Sequence, residues 1–475
     1  MFIERLRANV TVLAIIVAFI VSFSLSIYMH VPYPPDRKAP FDNLGFIYSD
    51  IVYGVFTPRF LDTVSSTGLV DSKVSEFWYN RDALARLVNG SINMFTCPVP
   101  YKDYKFEYPP MIALLWYFST CTSFLYTYNF IKAPRDPLEY RSIVSEYVAP
   151  MHFAIQVSFT IIFASLLVLY MLRIAKTINF DRRRLILLFL LPSTIIYSTY
   201  NWDIITATLV VMSLYYLINK RYFVSGSLLG LAVSAKLIPV LAGLAIGYDL
   251  LQKAFAKNSN SHGYNNVAMY LMGLGATGGI PYALVATLFS KGFSDFVNHH
   301  FSWYCENCIY ILFVQNIYSP LHRILFYALA TLFMLIIMTI NIDYNWRLFG
   351  VAFSSIAVGT VLSYVFSPQM MLMLTPLAIA VLSKRILTLY AIADSANALI
   401  ILLFFEDSTL RAYISKYVNI PVSFSPWTID SPVQWTAFIR NLLLFIILLD
   451  VIAQLIHGNR QRMHHEEQHT FNSLS

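Results

Sequence analysis

Apolar residues along this chain fall in long, nearly unbroken blocks separated by short polar connections. The first block, Val10–Tyr28, is followed by blocks near 150–172, 185–199, 203–218, 222–237, 238–249, 265–289, 321–341, 348–364, 368–383, 386–404 and 435–456. Strands alternate with period two, and helices at a protein surface carry one apolar stripe. Blocks apolar all round and close to 20 residues long suit helices that cross a bilayer. The pattern therefore predicts an all-α polytopic membrane protein of about twelve spans. The blocks at 185–199 and 238–249 are shorter than a full span, which points to a bent bundle or a locally thinned bilayer.

Composition agrees. The chain has 475 residues, of which 57% are hydrophobic and 12% charged, with a mean hydropathy of +0.59. A water-facing surface needs about 25% charged residues, so a soluble enzyme, a nucleic-acid-binding domain and a secreted disulfide scaffold are excluded. The net charge of +7 reads as topology, not as affinity for nucleic acid. Arg5 and Arg7 precede the first block, and Arg173, Lys176, Arg182–Arg184, Lys220, Arg221, Lys253, Lys257, Arg347, Lys384 and Arg385 fall on connections of the same side. The positive-inside rule then puts both termini in the cytoplasm. That orientation holds only if the apolar run 109–131 lies on the outer membrane surface or re-enters it without crossing. Residues 1–456 thus form one transmembrane domain that includes an extracytoplasmic loop, 29–149, with its juxtamembrane helix. A polar cytoplasmic tail, 457–475, follows.

Long loops are commonly functional, and candidate chemistry gathers on the outer side. The first loop holds Asp42, then Tyr48-Ser49-Asp50-Ile51-Val52-Tyr53, then Arg59, Arg81 and Arg86, and ends in Phe106-Glu107-Tyr108-Pro109-Pro110. Proline is tolerated in a first helical turn, so Glu107 would be held at the membrane boundary, just ahead of a helix. Asn201-Trp202-Asp203, Lys236, His299 through Asn307, and Ser367-Pro368-Gln369 arrive at the same face from separate helices. Acids, bases, amides and aromatics converging at one depth are the layout of a site open to the outer leaflet. A transporter or lipid flippase, the alternative, would place ionisable groups near the midplane, often in two repeats; the sequence has no such repeat.

Four segments together resemble the GT-C superfamily of membrane glycosyltransferases, and more narrowly the archaeal members of glycosyltransferase family 87 (DUF2029-type). They are Tyr48-Ser49-Asp50-Ile51-Val52-Tyr53; Phe106-Glu107-Tyr108-Pro109-Pro110; the small-residue stretch Ser227-Leu228-Leu229-Gly230-Leu231-Ala232 ahead of Lys236-Leu237-Ile238-Pro239; and Ser367-Pro368-Gln369. The first glycine of the packing stretch is Ser227 here, a departure from the family pattern. The likeness runs from about residue 40 to residue 385. It implies inverting transfer of a sugar, often mannose, from a polyprenyl- or dolichyl-phosphate carrier to a glycan, glycolipid or other acceptor at the outer face. An aspartate of the first outer loop acts as base, which maps onto Asp50, with Asp42 as the rival.

The chemistry needs one carboxylate to take the acceptor's proton and cations where charge develops on the departing phosphate. Lys236 is the first candidate for that cation, followed by Arg59, Arg81 and Arg86; a lysine at a helix end also snorkels to the interface. Glu107, Tyr108, Asp203, Trp303, Glu306, Asn307 and Gln369 are candidate sugar or acceptor contacts. Against these stand structural readings: a Glu107–Lys105 ion pair, an interfacial belt role for Trp303, and a helix-capping role for Gln369. Asp394 and Asp450 fall inside spans and read as structural. No metal is required, because Lys and Arg can meet the phosphate charge, although acid-rich outer loops also suit Mg²⁺ or Mn²⁺. Cys97, Cys121, Cys305 and Cys308 all fall outside, consistent with one or two disulfides. Cys305 and Cys308 are alternatively two zinc ligands, with His299 and His300 to complete the set. The expected location is a plasma membrane with an exterior site, or the ER membrane in a eukaryote.

Overall fold

A computed structural model describes residues 2–32, 47–256, 262–419, 422 and 425–472. The chain is a mostly helical, multi-pass membrane protein. By length and composition, six helical segments can cross a membrane: Asn9–His30, Pro137–Thr177, Gly263–Leu288, Leu321–Met338, Lys384–Phe405 and Pro432–His457. Shorter apolar helices, among them Asp203–Ile218 and Tyr222–Ala235, stand beside them.

The shorter helices differ from the long ones in what surrounds them. Every residue of Asn345–Val361 from Arg347 onward is buried, as is every residue of Met371–Val381. These two helices sit inside the bundle, which is why their sequences are apolar on all sides. The first helix instead leaves Val10, Leu13, Ile16 and Ile20 exposed, as a lipid-facing helix should.

The block expected at 185–199 is broken into Arg182–Ile186, Leu187–Leu190 and Pro192–Tyr197. Pro192 forces Leu191 into an extended conformation and ends the turn before it. The small residues at 222–235 have a packing reason. A Cβ at Gly226 would lie 2.0 Å from the carbonyl oxygen of Tyr270, and one at Gly230 2.7 Å from the backbone nitrogen of Gly278. Tyr222–Ala235 and His262–Leu274 therefore approach almost backbone to backbone.

Polar groups separate to opposite ends of the bundle. At one end Arg184 donates to the Leu382 carbonyl (2.7 Å), Lys253 pairs with Asp249 (2.7 Å), and Arg347 faces Asp343 (3.6 Å). At the other end lie the C-terminus of the first helix, Tyr200–Asp203, Lys236 and Gln369. There His30 contacts the Ile196 carbonyl at 2.6 Å.

Residues 47–136 fold into a cap of short elements. Its elements are a short wide helix, Asp50–Phe56, continued by Thr57–Phe60; a two-residue hairpin pairing Val64–Ser65 with Gly68–Leu69; and helices Asp71–Phe77, Arg81–Val88 and Pro110–Tyr126. Cys97 and Cys121 are disulfide-bonded and close the cap onto Pro110–Tyr126. Phe56, Phe60, Trp78, Tyr104, Trp116 and Phe124 fill its core.

Candidate functional site

Asp50 is the first residue of the Asp50–Phe56 helix, whose preceding Ser49 accepts the backbone N–H of Val52. Backbone N–H groups at a helix start favour a carboxylate there. Three donors from three separate segments converge on one carboxylate oxygen. Asn201 Nδ2 donates to Asp50 Oδ2 at 2.6 Å, the Tyr108 hydroxyl at 3.1 Å and Gln369 Nε2 at 3.2 Å. Among the described residues, Oδ1 accepts no hydrogen bond. Gly54 keeps that side open, since a Cβ there would sit 3.3 Å from Oδ1 and 3.0 Å from the Tyr48 hydroxyl.

Burial pushes the Asp50 carboxyl up to about 7, and the like charge of Glu306 adds to the rise. The hydrogen bonds from Tyr108 and Asn201 and the charge of Lys236 oppose it. A carboxylate with one oxygen held, the other open and an affinity for protons near neutrality has the properties of a general base.

Two ion pairs flank it. Lys236 closes the C-terminus of Tyr222–Ala235 and donates to Asp203 Oδ1 at 2.5 Å. Asp203 is buried, and its Oδ2 has no hydrogen-bond partner. Arg59, on the short helix that continues Asp50–Phe56, is buried and donates to the carbonyls of Lys105 (2.7 Å) and Val55 (2.9 Å) and to Glu107. Glu107 thus pairs with Arg59, not with Lys105.

The third wall comes from Ser290–Ser302 and the turn after it. Trp303 Nε1 donates to Glu306 Oε2 at 2.8 Å, and its ring stacks on Tyr304 at 5.1 Å. Asn307 has φ 52°, and its carbonyl accepts from Asn441 (2.8 Å) and Arg440 (3.2 Å). Burial lowers the basicity of His299, to about 4, and of His300, so both are neutral imidazoles at neutral pH.

Of the residues expected from the sequence, Tyr108 and Gln369 each bond Asp50 directly. Lys236, Asp203, Glu107, Arg59 and Glu306 surround them. Arg81 instead pairs with Asp71 on the exposed face of the cap (2.7 Å). Arg86 lies in the last turn of the same helix with its Nε buried and unpartnered. Asp42 lies outside the described residues. Asp394 accepts the backbone N–H of Ser193, on a helix distant along the chain, at 2.9 Å, and Asp450 accepts Gln454 Nε2 one turn away at 2.7 Å; neither bond reaches Asp50.

Cys305 and Cys308 are disulfide-bonded to each other. The histidine beside them is His322, whose Nδ1 is 3.9 Å from Cys308 Sγ, whereas His299 packs on Trp303. Asn201 and Arg440 are the site residues that sequence reasoning undervalued. Asn201 stood in a noted Asn-Trp-Asp run, and Arg440 was a rare charge inside an apolar block.

No family model matches the chain, and no curated protein does. Among solved structures it is similar to the crystal structure of ArnT from Cupriavidus metallidurans bound to undecaprenyl phosphate. The identity is 13% and the TM-score 0.40, over 96% of this chain and 78% of that one.

Proposed function

We propose that this protein is a membrane glycosyltransferase of the GT-C type that takes its sugar from a polyprenyl- or dolichyl-phosphate carrier, with Asp50 as general base. The observation that carries the reading is the Asp50 carboxylate. Asn201, Tyr108 and Gln369 fix Oδ2, which leaves Oδ1 open to receive the proton of an acceptor hydroxyl.

In this scheme the acceptor oxygen attacks the anomeric carbon as its proton passes to Asp50. The bond between that carbon and the phosphate oxygen breaks on the opposite face, so the configuration inverts. The lipid phosphate leaves with the electron pair and needs a cation, not a proton donor, to meet its charge. Lys236, partly exposed and close enough for its charge to act on Asp50, is the cation for this role. Its present partner, Asp203, keeps it oriented and gives it a second anion to exchange for the phosphate. The paired Glu107 and the indole-bound Glu306 present remaining carboxylate lone pairs to sugar hydroxyls, and the ring of Trp303 presents a face for sugar stacking.

The sugar favoured by the resemblance of the sequence to family 87 is mannose, and the acceptor is a lipid-linked glycan, a glycolipid or another glycan. In this reading the site end of the bundle faces outward; Arg184, Lys253 and Arg347 at the opposite end support it, since cytoplasmic faces are the basic ones.

The test is incubation of the purified protein with radiolabelled dolichyl-phosphate-mannose and a lipid extract of its host, beside Asp50→Asn. Label should move to a new lipid or glycan with the wild type only. Transfer from a different carrier-linked sugar would retain the mechanism and change the substrate. Equal transfer by both proteins would remove Asp50 as base, and no transfer from any carrier-linked sugar would remove the enzyme reading.

A further inference from the structure

Arg440 is buried within Pro432–His457, a segment apolar enough to span a membrane. A guanidinium there is costly unless its donors are satisfied, and such residues usually serve the function. Among the described residues no carboxylate lies within ion-pair distance of it. It is satisfied by neutral acceptors instead. Nε donates to Asn441 Oδ1 (2.9 Å) and Nη1 to Asn397 Oδ1 (2.7 Å), while Nη2 donates to the carbonyls of Asn307 (3.2 Å) and Phe366 (3.1 Å). The group also lies over the Phe366 ring at 3.7 Å.

Each partner leads to the site by a short path. Asn397 Nδ2 donates to the Pro368 carbonyl at 2.8 Å, and Pro368 immediately precedes Gln369. The Phe366 N–H donates to the Glu306 carbonyl at 2.9 Å, and Asn307 follows Glu306. One side chain thus braces the two backbone segments that carry Gln369 and Glu306, which also pair through the Glu306 N–H to the Tyr364 carbonyl (2.9 Å).

We propose that Arg440 is a positioning residue: from inside the last membrane helix it sets Gln369 as a donor to Asp50 and holds Glu306 at its distance from Asp50. The consequence is a definite direction. Among the described residues, Tyr48 on its own segment, Glu107 and Tyr108 ahead of the Pro110 helix, Tyr200 and Asn201, Lys236, and Glu306 with Gln369 are the charged, titratable and hydrogen-bonding groups around Asp50. Loss of Arg440 would loosen Gln369, which favours the Asp50 anion, and would remove a positive charge from beside the segment that carries Glu306, whose own charge disfavours that anion. Both changes raise the pH at which Asp50 ionises.

The inference rests on Asp50 as the base of the proposed reaction, and it can be read without turnover. Infrared difference spectra of wild type against Asp50→Asn, taken across pH in detergent, isolate the Asp50 carboxyl. Arg440→Met should move its titration midpoint upward by about one pH unit, and Gln369→Leu should move it the same way. The double variant should shift no further than the larger single change, because the two act along one path. Where transfer is measured as well, Arg440→Met should lower kcat and leave KM for the donor close to wild type.

A folded Arg440→Met protein with an unmoved midpoint, or fully additive shifts, would overturn the proposal and leave Arg440 a packing residue. Should Arg440→Met not fold, Arg440→Lys decides. It keeps the charge but cannot serve four acceptors, so an upward shift supports the proposal and an unchanged midpoint overturns it. Absence of sugar transfer with the shift present would refute the proposed reaction and not the positioning role.

Discussion

Two carboxylates near the same end of the bundle, the fully buried Asp407 and the half-buried Asp50, are bonded in contrasting ways. Asp407 accepts from Arg411 Nε (2.6 Å) and the Ser425 N–H (3.2 Å) on one oxygen and from the Ser431 hydroxyl on the other. Arg411 is also spent, bridging to Asp430 at 2.6 Å. Both oxygens and the charge are consumed, so the group is a staple tying Asp407–Ile414 to the start of Pro432–Asn472. Asp50 receives neutral donors on one oxygen only, and no cation is bonded to it. A carboxylate that is desolvated yet not neutralised retains its affinity for a proton, and that separates a base from a staple.

The comparison breaks first, and most visibly, at Asp50. Asp50→Asn should lower transfer by about 10²–10⁴-fold, the range for loss of a general base, while donor binding persists. Its melting temperature above pH 7 should rise, because burying an amide avoids the cost of burying the anion. Next comes the leaving-group cation. Lys236→Met should reduce transfer by about 10²-fold or more and strand Asp203. Adding Asp203→Asn should restore stability without restoring transfer, as measured by thermal melts beside the radiolabel assay.

The staple should behave in reverse. Arg411→Ala is expected to lower the melting temperature by several degrees, with transfer per folded molecule close to wild type. A milder signature is the pH profile. With Asp50 ionising near 7, transfer at saturating donor should rise about tenfold per pH unit below that value and level off above it. The sign follows from the base being active only when deprotonated. A profile flat from pH 5 to 8 would contradict the assignment. The smallest effect expected is that of reducing Cys305–Cys308, whose loop carries Glu306 and Asn307. A dithiol should lower transfer by a few-fold, and Cys305→Ser/Cys308→Ser should reproduce the loss and abolish the response.

Much of the site was legible because its residues are polar where the chain is otherwise apolar. Asp50, Lys236, Glu107 and Gln369 all announced themselves in this way. Partners were not legible. The sequence offered Lys105 to Glu107 by proximity, yet the cap folds so that Arg59, distant along the chain, reaches it. It offered His299 and His300 to the cysteines, yet His322 lies beside Cys308. Arg59, Arg81 and Arg86 look alike as loop cations, and the fold sets them apart: one buried against Glu107, one on the surface with Asp71, one at a helix end.

By itself the sequence determined that this is a multi-pass helical membrane protein, and it grouped the polar candidates into a few separate segments. Apolar block length and the distribution of charge answer to the bilayer, which acts on each segment separately. Only the tertiary structure decided which polar groups touch, which oxygen of Asp50 stays open, and that a buried arginine in the last helix reaches the segments around it. Those outcomes depend on where helices distant in the chain end in space, and no local pattern encodes that.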